Sequence, residues 1–389
     1  MKICAVVAEY NPLHLGHVKQ LSYIKESLGA ENVIVIMSGN FTQRGEPAVL
    51  DKYTRARHAI LSGADLVLEL PTVFATANAE IFAKGAISVL NDLGCIDGLC
   101  FGVESGTRED YISLAVALNN ESKEFKKILK EKLDMGVSLA KAKFETLKEL
   151  GEEHDPSLIG SPNNILGVEY TKAIAHYHSN IEIYPLIREG NHNEEKYKKG
   201  LTSAKSIRNL LKDGKIKKAK SSMPTCVFKD LKEYPFAFDK LLMLKLLTTS
   251  LEELKEVLDC TEGLENRIKA LSKDNKSLNA LIEKAVTKRY TEPRIRRIIT
   301  SNLLGIKKEL AFKALESELY AKVLAVNAEK KDLISVIAKS SSIPLITRKS
   351  QVGELKKHAK ACFDIDVLAN DIYNLATNKN QNEFLTLFV

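Results

Sequence analysis

The stretch EYNPLHLGHVKQ, Glu9 to Gln20, sets two histidines three residues apart around a glycine, directly after the apolar run ICAVVA. If a helix begins between His14 and His17, both imidazoles lie on one face of its first turn. Gly16 lets the backbone come close to a ligand there, and the free N–H groups and positive dipole end of the helix favour an anion. Imidazoles in that place can donate to phosphate oxygens and stabilise charge that develops as pyrophosphate leaves. Two other readings share the spacing. The histidines can simply cap and pack a helix, or they can belong to a zinc site, for which no third ligand has recognisable spacing. Spacing alone leaves all three open.

Further along, LTSAKSIRNLL, Leu201 to Leu211, combines hydroxyls (Ser203, Ser206) and charge (Lys205, Arg208) at a helix start. Such a segment is a second anion-binding candidate or a capped basic helix. Two basic clusters follow. KDGKIKKAK offers Lys215, Lys217 and Lys218, and KRYTEPRIRRI offers Lys288, Arg289, Arg294, Arg296 and Arg297 beside Tyr290. These can make salt-dependent contacts to RNA phosphates, or they can be solvated helix faces.

The elements that must position these groups are legible as five β-rich runs in the first half: KICAVVAEY, NVIVIMSG, ADLVLEL, DGLCFGV and IEIYPLI. They are nearly continuous in apolar residues, as strands covered on both faces are. Helical stretches alternate with them, which predicts right-handed crossovers and a parallel, doubly wound α/β sheet. Ligands then sit beyond the carboxyl ends of the strands, where Glu9 to His17, Ser38 to Arg44, Gly102 to Ser105 and Arg188 lie. A Pro-containing segment after Ser222 predicts a boundary between a catalytic domain, 1–222, and a mainly helical domain, 223–389. A small strand, helix, strand unit is expected near 320–348.

The chain has 389 residues, is 44% hydrophobic and 28% charged, and carries a net charge of +7, which permits a polyanionic partner without requiring one. No apolar run approaches the roughly 20 residues of a membrane helix, and the start reads as a buried strand, so a cytoplasmic protein is expected. The six cysteines, Cys4, Cys95, Cys100, Cys226, Cys260 and Cys362, are scattered without a C-x-x-C pair. Reduced, mostly buried thiols and no metal site are expected.

NPLHLGH after a first strand resembles the H-x-G-H signature of the nucleotidyltransferase superfamily, which includes class I aminoacyl-tRNA synthetases and cofactor adenylyltransferases. LTSAKSIRNLL resembles the superfamily's second signature, with serine where threonine is frequent; Lys205 either meets triphosphate or points to solvent. SGNFTQRGEPAVLDKYTRARHAILSGADLVLELPTVFATANAEIFAKGAISVLNDLG, SPNNILGVEY and KRYTEPRIRRIITSNLLGI together resemble the bacterial tRNA(Met) cytidine acetate ligases over most of the chain. The resemblance implies a Rossmann-like, five-stranded parallel sheet of the nucleotidyltransferase type.

It also implies a reaction in which acetate is activated by ATP, with Mg²⁺, as acetyl adenylate. The acetyl group then passes to N4 of the wobble cytidine in the anticodon loop of elongator tRNA(Met). The ATP site carried over comprises Val7, Ala8, Glu9, Tyr10, Asn11, Pro12, Leu13, His14, Leu15, Gly16, His17, Val18, Lys19 and Gln20, with Gly102, Asn163 and Arg188, joined by Ser203 and Ser206. His14, His17 and Arg208 are the expected catalytic residues. The rivals are a small-molecule adenylyltransferase, a citrate-lyase-type acetate ligase of the same superfamily, and an RNA-binding protein with a vestigial nucleotide site.

Overall fold

The computed structural model describes residues 2–137, 139–188, 202–234, 237–275, 277–287 and 289–389. Five apolar runs become strands β1 (Ile3–Ala8), β2 (Asn32–Ser38), β3 (Leu66–Leu70), β4 (Gly98–Val103) and β5 (Glu182–Ile187). Later in the chain come β6 (Ala321–Val326), β7 (Leu345–Ile346) and β8 (Leu387–Phe388). The helices that matter here are α1 (Leu15–Glu26), α2 (Lys52–Leu61), α3 (Ala79–Asp92), α4 (Pro162–His176), α5 (Ala204–Lys212), α6 (Glu292–Leu304) and α7 (Lys357–Thr377).

All eight strands form one sheet in the order β5-β4-β1-β2-β3-β6-β7, with β8 also paired to β6. The first five are parallel, as expected. The expected count of five is corrected: β6 adds antiparallel to β3, pairing Leu66 with Val326 and Glu69 with Lys322. The strand, helix, strand unit near the C-terminus therefore widens the same sheet. Nothing in its local pattern specifies a partner, because strand pairing is set by which apolar face finds cover.

Successive strand residues face opposite sides. Ile34, Ile36, Leu66 and Leu68 join one core with α3 and α4, whereas Val33, Val35, Met37 and Val67 join another with α1 and α2. Both faces are covered, which is why the strands read as unbroken apolar runs. The chain runs from β1 outward through β2 and β3, then returns to place β4 on the other side of β1. The switch point of the topology thus lies at the carboxyl ends of β1 and β4.

Two buried charge systems tie the carboxyl ends of β1, β2 and β3 to the elements around them. Arg55, on α2 and fully buried, donates Nε to Leu50 O at 2.9 Å and Nη1 to Glu9 O at 2.7 Å and Ser38 O at 3.0 Å, with Nη2 on Gly39 O. In the second, Lys52 Nζ lies 2.8 Å from Glu69 Oε1 and 2.7 Å from Glu383 Oε1. Lys322 Nζ meets Glu69 Oε2 at 2.9 Å and also pairs with Glu383. Burial works against the charge of Glu69, yet Lys322 and Lys52 hold its carboxyl below the usual range. Beside them Asp366 accepts from Thr72 N at 2.7 Å and from the Tyr320 hydroxyl. Burial, and then the negative charge of Glu69, push Asp366 up to about 7.

Replacing Arg55 by lysine leaves one ammonium where a planar fork served four carbonyls. We expect a loss of about 3 kcal/mol or more in urea unfolding; an unchanged midpoint would deny Arg55 this role. For Asp366, the folded state binds a proton that the unfolded state releases from about pH 4 upward. Its contribution is therefore present below about pH 4 and lost as pH rises through about 7. D366N should flatten that fall by at most one proton, about 1.4 kcal/mol per pH unit. Parallel stability curves for the two proteins would show that Asp366 does not titrate there.

Candidate active site

Helix α1 starts as the spacing predicts, and its cap is made by the histidines themselves. His14 is the N-cap, its Nδ1 accepting from Gly16 N at 3.1 Å, while His17 Nδ1 accepts from His14 N at 3.2 Å. The two rings stack at 3.7 Å, and Tyr10 stands edge-on to His17 at 4.9 Å. Because both Nδ1 atoms accept, each neutral ring carries its proton on Nε2. The capping reading therefore describes this geometry, which is also compatible with anion binding through the Nε2–H groups at a helix start.

The rest of the expected loop divides by burial. Tyr10, Asn11, Pro12 and Leu13 are buried, with Tyr10 at a φ of 46°. Asn11 Oδ1 accepts from Val49 N at 2.9 Å, and Glu9 Oε1 accepts from Gln43 N at 2.8 Å. These residues shape the loop and tie it to the segment after β2. Val7 and Ala8 end β1, Leu15, Gly16, His17 and Val18 form the first turn of α1, and Lys19 is exposed. Gln20 Nε2 reaches across to Cys100 O on β4 at 3.1 Å.

From the other side of the switch point comes Arg188, just after β5, its N–H on Val103 O at 2.8 Å. Its side chain crosses Gly102, where an added Cβ would lie 2.9 Å from Arg188 Cδ. The same guanidinium comes within 4.0 Å of where a Cβ on Gly16 would stand. Gly102 therefore clears the path of the Arg188 side chain, whose guanidinium lies near the start of α1. Burial lowers the Arg188 pKa and the Glu104 carboxylate offsets part of that; the guanidinium stays charged. Asn163, in the first turn of α4, donates Nδ2 to Glu104 Oε1 at 2.7 Å.

The second signature arrives at the same loop. Ser203 caps α5, its Oγ accepting from Ser206 N at 3.1 Å, and both serines are buried. Arg208 Nη1 donates to Asn11 O at 2.8 Å, and its Nη2 is 3.7 Å from Glu46 Oε2. Glu46 also lies 3.5 Å from Arg296 Nε on α6, so one carboxylate links the signature to the helical layer.

The expected basic surface is only partly available. Lys215, Lys217 and Lys218 are exposed, Lys215 with Asp213 at 3.6 Å. Arg297 is buried on Asp259 at 2.8 Å, and Arg294 binds Asp259 O, Thr261 Oγ1 at 2.7 Å and Glu262 at 3.4 Å. These two guanidiniums are engaged by a turn of the protein, Arg297 buried and Arg294 partly exposed. Arg289 pairs with Glu262 at 3.2 Å and Arg296 with Glu292 at 2.7 Å, while Lys288 lies outside the described residues.

Sequence reasoning missed Glu104, Glu46 and Arg55. Glu104 directly follows a predicted strand, but its partner Asn163 is 59 residues away, and no local pattern couples them. Among the described residues no group of three or more His, Cys, Asp or Glu could hold a metal, and the cysteines are free thiols, four of them buried. Burial pushes the Cys4 and Cys100 thiols up to about 12.

The description HIGH Nucleotidyl Transferase matches residues 1–386. The chain is 36% identical to the tRNA(Met) cytidine acetate ligase of Clostridium acetobutylicum, over 98% of this chain and 97% of that protein. It is 37% identical to the enzyme of the same name from Clostridium novyi, over 96% and 95%. Two crystal structures of Thermotoga maritima TmcAL, 29% identical, cover the whole of both chains. The apo form has a TM-score of 0.94 and the form bound with alpha-thio ATP one of 0.91. The meeting of the two signatures at the loop after β1, and likeness over nearly the full length, lead to one conclusion: the chain belongs to the HIGH nucleotidyl transferases, within the tRNA(Met) cytidine acetate ligase family.

Proposed function

We propose that this protein is an ATP-dependent acetate ligase that acetylates N4 of the wobble cytidine of elongator tRNA(Met). The observation that carries the reading is the convergence of the stacked His14–His17 pair, Gly16 and Arg188 at the carboxyl ends of β1 and β4. An acetate oxygen attacks the α-phosphorus of ATP in line, giving acetyl adenylate and pyrophosphate. The Nε2–H groups of His14 and His17 donate to phosphate oxygens as charge builds, and the Arg188 guanidinium supplies a fixed positive charge. Arg208 holds the Asn11 carbonyl, keeping the loop in place, and turns its remaining N–H groups to the triphosphate, with which Mg²⁺ travels. Ser203 and Ser206 complete that end of the site.

The cytidine amine then attacks the acetyl carbonyl, and AMP departs. The wobble base must be unstacked from its neighbours to enter, which is how single-stranded loop bases are read. Lys215, Lys217 and Lys218 are exposed cations suited to the tRNA backbone, and Arg289, half exposed and paired with Glu262, is a further one. No described helix is long and apolar enough to cross a membrane, in keeping with a cytoplasmic enzyme acting on tRNA.

Exchange of labelled pyrophosphate into ATP tests the first step. Acetate alone, without tRNA, should support it, and His17→Ala should slow it by about 10²–10³-fold. Exchange only with a phosphorylated cofactor precursor would instead favour an adenylyltransferase, and no exchange with any acid would favour a vestigial site. Gly102→Ala forces Arg188 aside, so the ATP KM should rise by about 10-fold or more, the worth of one charge-assisted hydrogen bond. An unchanged KM would remove Arg188 from ATP binding.

A further inference from the structure

Glu104 follows β4 directly, at the switch point, and both of its carboxylate oxygens are taken up by the start of α4. Oε1 accepts from Asn163 Nδ2 at 2.7 Å, and Oε2 accepts from the hydroxyl of Ser161, the N-cap of α4. The backbone N–H of Glu104 donates to Asn164 Oδ1 at 2.8 Å, and Asn164 Nδ2 donates onward to Ser105 Oγ at 2.8 Å and Ser157 O at 2.7 Å. Strand end and helix start are thereby locked together, with the carboxylate at the positive end of the helix dipole.

This arrangement settles which way the Asn163 amide faces. An ionised carboxylate can only accept, so the NH₂ group must point at Glu104 and the amide oxygen must point away. We infer that Glu104 is a positioning residue that holds Asn163 as a hydrogen-bond acceptor toward the nucleotide, so that Asn163 reads a donor group of ATP. Two donors of ATP have this chemistry, the 6-amino group of adenine and the ribose hydroxyls. A site with its acceptor locked in place disfavours a ligand lacking the donor, because the oxygen, covered by the bound nucleotide, is then left without its partner. The inference rests on the reading that ATP occupies the crevice.

An exchange of the two side chains' chemistry tests it. N163D sets two carboxylates against each other and should weaken ATP binding, measured by calorimetry without acetate or tRNA, by about 10-fold or more. In the double variant E104Q/N163D, the amide introduced at position 104 donates to one oxygen of the carboxylate introduced at position 163 and leaves the other oxygen as an acceptor. It should regain most of the lost affinity. N163A should lose discrimination against whichever analogue lacks the donor that is read: 2′-deoxy-ATP or 3′-deoxy-ATP for the ribose, purine riboside triphosphate for the base.

Far-ultraviolet circular dichroism and thermal unfolding identify any variant that does not fold, and E104Q, which allows the amide to turn over, then carries the analogue comparison in its place. A double variant that folds but binds ATP no better than N163D overturns the inference. So does an N163A protein that discriminates every analogue as the wild type does. A wild-type protein that binds no ATP overturns the reading of the crevice itself, and the inference with it.

Discussion

The guanidinium of Arg55 is the interaction on which the catalytic end of the sheet depends. A parallel sheet leaves the carbonyls at its carboxyl edge without strand partners, and a loop that must turn sharply adds more. Arg55 takes four of them at once, from Glu9 after β1, Ser38 and Gly39 at the end of β2, and Leu50 before α2. Each would carry the cost of a buried, unsatisfied acceptor if left alone. By joining the first two strand ends, Arg55 fixes where the loop Glu9–Leu13 leaves the sheet, and hence where His14 begins α1. The histidine pair stands only as firmly as that exit.

Around this point several devices converge on one loop from distant parts of the chain. Arg208 holds the Asn11 carbonyl from α5, Val49 holds the Asn11 side chain, and Gln43 holds Glu9. The effect is to remove freedom from the backbone that presents Gly16, His14 and His17. Preorganised donors gain most of their value from such rigidity, because they need not be reoriented as charge develops. The stacked imidazoles divide their two ring nitrogens accordingly: Nδ1 of each builds the helix start, and Nε2 is the nitrogen suited to chemistry.

The C-terminal segment is bound to this frame by charge rather than by a separate apolar seam alone. Glu383 reaches Lys52 on α2 and Lys322 on β6, next to Glu69 on β3. Buried charges of this kind cost desolvation and are held by mutual pairing. They also specify geometry, since only one placement of the C-terminal strands satisfies both lysines and both carboxylates. The helical layer contributes through Arg296 and Glu46, so the second half of the chain braces the catalytic loop that the first half builds.

Much of the frame around the candidate site was legible in the residues before any coordinates. Unbroken apolar runs announced strands buried on both faces, their alternation with helices announced a doubly wound sheet, and the position of NPLHLGH after the first run put its histidines at the carboxyl end of β1. The same rule marked the segments that hold Gly102 and Arg188, which the family resemblance singled out within them. Periodicity and spacing are local properties, and these features are local. Partnerships across the chain are not. The antiparallel addition of β6, the burial of Arg297 and the pairing of Arg294 on the turn at Asp259 to Glu262, the four-carbonyl grip of Arg55 and the pairing of Glu104 with Asn163 all depend on which surfaces meet in three dimensions. A basic run reads the same whether it faces water or a buried carboxylate, and only tertiary packing, through the cost of leaving a charge or carbonyl unpaired, decides between them.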